Sequence, residues 1–179
     1  MILSGAPKPR SSSRKLDRIR MNWWKQFKPK SCSVGLKASD KEAVLEEVVT
    51  NLVKGEILDA ELSPAALKAL VEREELASTG IGMGVSVPHV KLTGIKKAVC
   101  SLSVHKTGLD WNAIDGEPVH VLFTVLRPTE ASEHHDPEKH LDMMRWITKL
   151  AREPDFRSFA QRSKTKTDLV NLLKEMSAV

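Results

Sequence analysis

Cysteine is scarce in this chain of 179 residues, long apolar runs are absent, and the common nucleotide-binding loop is missing. The two cysteines, Cys32 and Cys100, lie far apart without a Cys-x-x-Cys motif, so the simplest interpretation is a cytoplasmic protein with two free thiols. No apolar stretch approaches the roughly 20 residues that a membrane-spanning helix needs, and none follows the basic N-terminus as a secretory signal requires. Without a Gly-x-x-x-x-Gly-Lys-Ser/Thr loop, direct use of ATP is not expected.

Positive charge is concentrated at the N-terminus. Residues 1–30 hold nine Lys or Arg and one acidic residue, a net charge of +8, whereas the remaining 149 residues carry −3 and the whole chain +5. Because serines and prolines also favour disorder there, we predict a basic, disordered tail over residues 1–30 and one domain over residues 31–179. The tail also contains three aromatic residues, Trp23, Trp24 and Phe27. These apolar side chains could dock on the domain or on lipid. Membrane association is expected only through this tail, and nucleic-acid binding is not predicted.

From residue 31 onward, short apolar runs alternate with helical patterns, which is typical of an α/β fold. Ser39 and Glu42 are expected to form a capping box at the start of the first helix. Pro154 is expected to interrupt the helical structure after the third helix. The last predicted strand is apolar on both faces, which suits the centre of a sheet. Helices are predicted over residues 39–54, 63–75, 137–151 and 167–176, and strands over residues 34–36, 85–87, 98–104 and 119–126.

The most informative segment covers residues 78–89 and reads Ser-Thr-Gly-Ile-Gly-Met-Gly-Val-Ser-Val-Pro-His. Its alternate glycines, Gly80, Gly82 and Gly84, allow the backbone to approach a ligand and expose amide groups to it. A short strand follows, and the proline before His89 restricts the backbone so that the imidazole is presented at the strand end. A nucleophilic imidazole beside free amides suits phosphoryl transfer to histidine. The alternative is a glycine-rich turn followed by an ordinary histidine, and the segment alone does not decide between them.

Several separated motifs occur in a characteristic order. Residues 73–82 and 85–89 read Arg-Glu-Glu-Leu-Ala-Ser-Thr-Gly-Ile-Gly and Val-Ser-Val-Pro-His, and Leu-Asp-Trp, Asp-Gly-Glu-Pro-Val and His-Leu follow at residues 109–111, 115–119 and 140–141. Together they resemble the signature of type-2 enzyme IIA domains of the bacterial phosphoenolpyruvate-dependent phosphotransferase system, in its fructose, mannitol and nitrogen-regulatory branches. The resemblance covers most of the chain, from about Ser31 to Met176. It implies a single α/β/α sandwich with a mixed sheet flanked by helices on both faces.

The resemblance also implies a phosphoryl-acceptor site. His89 matches the family's phosphorylated histidine and would form tele-phosphohistidine. His140, at a helix start where free amides favour an anion, would orient His89 or hydrogen-bond the phosphoryl group. Arg73, 16 residues before His89, matches an arginine that contacts phosphate. The loop residues expected to bind the phosphoryl oxygens are Ser78, Thr79, Gly80, Gly82 and Gly84. Without the resemblance, His140 would be interpreted as a solvated histidine and Arg73 as an ion-pair partner of neighbouring glutamates.

Some residues depart from the family pattern or suggest other chemistry. Met83 stands where the family usually has Asn or another polar residue, and Val90 stands where small or polar residues are more usual. His134, His135 and Asp136 enrich the loop before the third predicted helix in imidazole. A metal site needs convergent ligands held by supporting hydrogen bonds, which this polar loop does not suggest, so no metal is predicted. The departures bear on partner preference and transfer rate more than on the type of reaction.

Two function classes remain open. In the first, His89 accepts a phosphoryl group from an HPr-like protein and passes it to a IIB domain or regulates partner proteins through its phosphorylation state. Because no IIB domain or membrane segment is recognised in the chain, the nitrogen-regulatory type is favoured. In the second, the domain is a non-catalytic regulatory module that docks to partners. Neither class requires a cofactor. A domain of this family would begin near Met21, so residues 1–20 are also compatible with a misassigned start site.

Overall fold

The computed structural model describes residues 22–177, and a five-stranded sheet lies at the centre of this part of the chain. The central strand, β5, pairs antiparallel with β4 along one edge. Along its other edge it pairs parallel with β2 and then with β3, and β1 adds to β2 in the antiparallel sense. The sheet is therefore mixed, as expected. The strands are β1 (Gly80–Gly82), β2 (Val85–Ser86), β3 (His89–Leu92), β4 (Val99–Leu109) and β5 (Val119–Pro128).

The helices form two layers, one on each face of the sheet. Helices α1 and α2 cover one face, and α3, α4 and α5 cover the other. Short 3-10 helices occur at Trp23–Gln26, Pro29–Ser31 and Ala60–Leu62. The α-helices are α1 (Lys41–Lys54), α2 (Ser63–Leu76), α3 (Pro137–Arg152), α4 (Pro154–Arg162) and α5 (Lys166–Met176).

Strand β5 shows how the two layers meet. Val121, Phe123 and Val125 pack with α3–α5, whereas Leu122 and Leu126 pack with α1 and α2. All five side chains are fully buried, because successive residues of a strand point to opposite faces and both faces are covered. The predicted central strand and the α/β/α sandwich are confirmed.

The starts of two helices differ from the prediction. Helix α1 is capped by Asp40, whose Oδ1 accepts a hydrogen bond of 2.9 Å from the amide of Ala43. The predicted cap, Ser39, lies one residue too early, because the Asp40 carboxylate reaches the third amide of the helix. Helix α4 was not predicted. Pro154 begins this helix instead of ending helical structure, since a proline at the first helical position sacrifices no hydrogen bond.

The predicted first strand over residues 34–36 is wrong. Ser33 forms an isolated bridge with Ser103 of β4. Farther along, the amide of Leu36 donates a 2.8 Å hydrogen bond to the carbonyl of Val104. The segment thus contacts β4 at separate points and does not form a continuous ladder.

The N-terminal aromatic residues belong to the packed domain. Phe27 is 1% exposed, and its ring centroid lies 5.9 Å from that of Phe123 and 6.1 Å from that of Trp146. The Lys174 ammonium lies 5.5 Å from the ring centroid of Trp24. Burial of these large apolar rings stabilises the segment on the domain, which corrects the expected boundary at residue 30. Residues 1–21 of the predicted tail lie outside the described residues. None of the helices within residues 22–177 is long and apolar enough to cross a membrane.

Candidate functional site

His89 lies at the start of β3, directly after Pro88, and is half-buried. Its Nδ1 lies 2.8 Å from the carbonyl oxygen of Val87. A carbonyl oxygen can only accept, so Nδ1 carries the proton and donates it to Val87. The lone pair of the neutral ring is then on Nε2. The backbone around Pro88 therefore selects both the orientation of the imidazole and its tautomer.

His140 lies in the first turns of α3 and is also half-buried. Burial is the largest of the causes that lower its pKa from 6.5 to about 4, followed by the nearby charges of Arg127, His135 and His89. These four side chains are therefore close enough to interact electrostatically, and His140 is neutral at neutral pH. The Nδ1 of His140 is buried and has no hydrogen-bond partner within residues 22–177.

We expect His140 to remain neutral down to about pH 4 in the folded protein, as its lowered pKa requires. The unfolded chain binds this proton near its ordinary pKa, so the unfolded state binds more protons between these two values. Stability should therefore fall as the pH drops through this interval and should not depend on this group above it. NMR titration of the imidazole checks the pKa, and His140→Gln should flatten the pH dependence of thermal unfolding. A titration of His140 near pH 6.5 in the folded protein would contradict this expectation.

Two further residues beside His140, Arg127 and His135, are not among the predicted site residues. Arg127 is near the end of β5, one residue beyond the apolar run over residues 119–126 that predicts a buried strand. His135 is 6% exposed, and its ring centroid lies 6.0 Å from that of His140. It was considered only within a metal cluster, and among residues 22–177 no group of His, Cys, Asp and Glu side chains could hold a metal ion. In the sequence, Arg127 follows Val125 by two residues, and this spacing puts both side chains on one face of the strand. That spacing is the signal by which Arg127 could have been predicted.

The hydroxyl groups of Ser78 and Thr79 are engaged within the protein. Ser78 Oγ donates to the carbonyl of Trp111 at 3.1 Å and accepts from the amide of Gly80 at 3.1 Å. Thr79 is 3% exposed, and its hydroxyl donates to the Glu74 carboxylate and accepts from the indole of Trp111. Both hydroxyls therefore stabilise the loop in this structure, and their binding of phosphoryl oxygens stays a prediction.

The glycines of this loop allow close packing against the segment that follows β4. A Cβ added at Gly80 would lie 2.8 Å from the Cβ of Ala113, and one added at Gly82 would lie 3.0 Å from an Asp115 carboxylate oxygen. Gly82 and Gly84 also have φ values of +90° and +74°, which favour glycine. The spacing of glycines thus reflects contact with the protein's own chain. Phosphate binding by Gly80, Gly82 and Gly84 stays a prediction.

Met83 is the non-glycine residue at the tip of this loop and adopts a left-handed conformation, with φ of +59°. Its amide donates a 2.7 Å hydrogen bond to Asp115, and this bond is the main cause that lowers the pKa of the Asp115 carboxyl. Asparagine tolerates this backbone better than methionine does, so Met83→Asn should raise the free energy of unfolding by about 0.5–1 kcal/mol. Urea unfolding measures the change. Glu56→Asn is the matched control, since Glu56 has φ of +58° and should respond in the same direction. A loss of stability in both variants would contradict the argument.

Arg73 is near the C-terminal end of α2, where its guanidinium donates a 2.8 Å hydrogen bond to the carbonyl of Ala77. Helix α2 packs through Leu70 in the layer opposite to the one that faces His89. In this structure the guanidinium therefore stabilises the end of its own helix. A contact between Arg73 and a phosphoryl group on His89 stays a prediction.

A cavity of about 240 Å³ borders His140 on the side of the loop that precedes α3. His135, Lys139 and Met143 line it together with Lys97 and Trp23. The N-terminal segment that was predicted to be disordered thus forms part of the wall beside the histidines.

The fold and the site together define a class of protein: an α/β/α sandwich with two neighbouring histidines on one sheet face, one beginning a strand and one in the first turns of a helix. The family model described as "Phosphoenolpyruvate-dependent sugar phosphotransferase system, EIIA 2" matches residues 25–176. The chain therefore belongs to this family, which confirms the resemblance seen in the sequence.

Individual relatives are consistent with this assignment. The chain is 30% identical over 143 residues to the nitrogen regulatory protein of Pseudomonas aeruginosa, covering 80% of this chain and 88% of that protein. Its fold resembles the crystal structure of nitrogen regulatory protein IIA-Ntr from Neisseria meningitidis, with a TM-score of 0.70, 24% identity and coverage of 84% and 97% of the two chains. It also resembles the complex of enzyme IIA mannitol and phosphorylated enzyme IIB mannitol from Escherichia coli, with a TM-score of 0.62, 17% identity and coverage of 83% and 99%.

Proposed function

We propose that this protein is a phosphocarrier in which His89 accepts a phosphoryl group from the phosphohistidine of an HPr-like protein. The hydrogen bond from His89 Nδ1 to the carbonyl of Val87, at 2.8 Å, is the observation that carries the proposal. It leaves the lone pair on Nε2, the tele nitrogen, and holds the ring in a fixed orientation. A positioned neutral imidazole is a competent nucleophile toward phosphorus.

The transfer needs no cofactor, because the bond that forms on His89 is matched by the bond that breaks in the donor. The Nε2 lone pair of His89 forms a new nitrogen–phosphorus bond while the nitrogen–phosphorus bond in the donor breaks. The donor imidazole, protonated on its other nitrogen, keeps the bonding electron pair and leaves as a neutral ring. His89 then carries the phosphoryl group on Nε2 and keeps the Nδ1 proton that is bonded to Val87. Because such transition states are loose, the protein contributes mainly positioning and electrostatic stabilisation.

His140 and the N-terminus of α3 would stabilise the transferred group. A neutral His140 can donate one hydrogen bond, and the first turns of a 16-residue helix favour an anion. For Arg73 to contact the phosphoryl oxygens, as family membership suggests, its guanidinium would have to leave the carbonyl of Ala77. For backbone amides of the loop over residues 80–84 to complete the site, those of Gly80 and Met83 would have to leave the Ser78 hydroxyl and the Asp115 carboxylate.

The protein that responds to this phosphorylation is proposed from the similarity to known proteins. Similarity to a nitrogen regulatory protein over 88% of its length favours a regulatory carrier, whose phosphorylation state controls partner proteins. Transfer to a IIB domain is the second route. We place the protein in the cytoplasm, because its two buried cysteines, Cys32 and Cys100, are unpaired thiols, which is typical of a reducing compartment.

Intact-mass measurement tests the proposal. The full chain is incubated with phosphoenolpyruvate, enzyme I and an HPr-like protein, and one phosphoryl group should add about 80 Da. A characterised IIA domain in the same mixture is the control for donor activity. No mass gain under conditions that label this control would overturn the carrier proposal.

The alternative function, a non-catalytic docking module, is favoured by two exposed apolar side chains, one against the glycine loop and one on α3. Ile114, beside Gly82, is 86% exposed, and Leu141, directly after His140, is 51% exposed. Such residues suit a protein-binding surface, which a carrier also needs. The mass assay separates the two classes, because a docking module would bind the HPr-like protein without gaining mass.

A further inference from the structure

The register of the sheet places an arginine on the same face as His89. Strands β3 and β5 run parallel, with His89 opposite Val125 and Lys91 opposite Arg127. Paired residues of neighbouring strands share a face, and so do alternate residues of one strand. Val125 packs with helices α3–α5, so His89 and Arg127 also face this layer. Diagonal neighbours in a sheet are roughly 7 Å apart, a distance that an arginine side chain spans.

The other charged groups around His89 are less suited to bind an anion there. His140 is neutral at neutral pH, because its pKa is lowered to about 4. His135 is buried in the loop before α3, and Lys91 is exposed at the edge of the sheet, where water and salt screen its charge. Arg73 is engaged with Ala77 on a helix of the opposite layer. A dianionic group on His89 needs a nearby positive charge that these residues do not supply in this arrangement.

We propose that Arg127 is a phosphoryl-binding residue of this site, donating two guanidinium hydrogen bonds to oxygens of the group carried by His89 Nε2. The inference rests on the proposed function. The planar guanidinium matches two phosphoryl oxygens in a forked geometry that lysine cannot reproduce. The half-buried position of Arg127 strengthens the attraction relative to an exposed cation. Its charge also contributes to the lowered pKa of His140, which agrees with a position beside both histidines. Arg127 transfers no proton or electron pair.

The test compares R127Q and R127K with the matched control R152Q, which changes an exposed arginine at the far end of α3. The initial rate of phosphoryl transfer from a phosphorylated HPr-like protein is measured by intact mass, on full chains whose folding is checked by circular dichroism. R127Q should slow transfer roughly 100-fold, because one preformed charge-stabilising group is lost. R127K keeps the charge but not the fork and should slow transfer roughly 10-fold. R152Q should transfer at the wild-type rate.

A second measurement separates a local charge effect from a merely structural one. NMR titration should show that R127Q raises the pKa of His140 toward its ordinary value, whereas R127K leaves it lowered. Equal transfer rates for R127Q and wild type would overturn the inference, and so would a wild-type rate for R127K if R127Q does not fold. A wild-type chain that takes up no phosphoryl group would overturn the proposed function, and the role of Arg127 with it. These outcomes are distinguishable because the first two require a phosphorylated wild-type protein.

Discussion

Replacing His89 with alanine is expected to abolish phosphoryl uptake, so that the gain of about 80 Da disappears completely. The substitution removes the Nε2 lone pair that would form the bond to phosphorus. His89 is half-buried at the start of a strand, so the variant should remain folded. Circular dichroism and thermal unfolding verify this point before the assay is interpreted.

The control for this prediction is His134→Ala. His134 is an exposed histidine of the loop before α3, paired with Glu133, and its loss should leave the mass gain intact. NMR of the phosphorylated wild-type protein should place phosphorus on Nε2 of His89, because Nδ1 holds its proton against Val87. An undiminished mass gain in His89→Ala would show that another imidazole accepts the group, and His140 and His135 would be the first to examine.

Replacing Glu74 with alanine is expected to cost about 2–4 kcal/mol of the free energy of unfolding, because the buried carboxylate accepts hydrogen bonds from buried donors and pairs with a partly exposed ammonium. The Glu74 carboxylate is 7% exposed, pairs with the Lys41 ammonium at 3.1 Å and accepts from the amide of Thr79 at 3.0 Å. It also accepts from the Thr79 hydroxyl, which in turn accepts from the indole of Trp111. Without Glu74, the buried donors of Thr79 and the Lys41 ammonium lose their acceptor.

Urea unfolding measures the effect, and the melting temperature should fall by roughly 10 °C. Glu75→Ala is the matched control, because the neighbouring Glu75 is exposed and its loss should change stability by less than about 0.5 kcal/mol. Glu74→Gln keeps the shape without the charge and should lose less stability than Glu74→Ala. Equal stability of the Glu74→Ala and Glu75→Ala variants would contradict the prediction. This network also fixes the glycine loop to α1 and α2, so the loop should show faster amide exchange in Glu74→Ala.

Local pattern predicted most of the elements, because burial and capping leave a periodic signal in neighbouring residues. The apolar run of β5 predicted a strand covered on both faces, and Pro64 marked the start of α2. The errors occurred where short-range signals compete. Asp40 and Ser39 are both good caps, and Pro154 can end one helix or begin the next.

The glycine loop illustrates the limit of this approach within the site. Gly80 and Gly82 indicated that something approaches the backbone closely, and the sequence suggested a ligand. In the structure the close neighbours are Ala113 and Asp115 of the protein itself. A glycine indicates that a side chain would not fit at its position, but it does not identify the group that occupies that space.

The sequence by itself determined the fold class, the family and the candidate acceptor His89, because each depends on local pattern or on motif order. Only the tertiary structure showed that His89 donates from Nδ1 to Val87 and so keeps its lone pair on Nε2, that Glu74 is buried against Lys41, and that Arg127 shares a face with His89. These facts depend on which strands pair, in what register, and on which face each helix lies. Pairing of this kind joins residues that are distant along the chain, so no periodicity in the sequence records it.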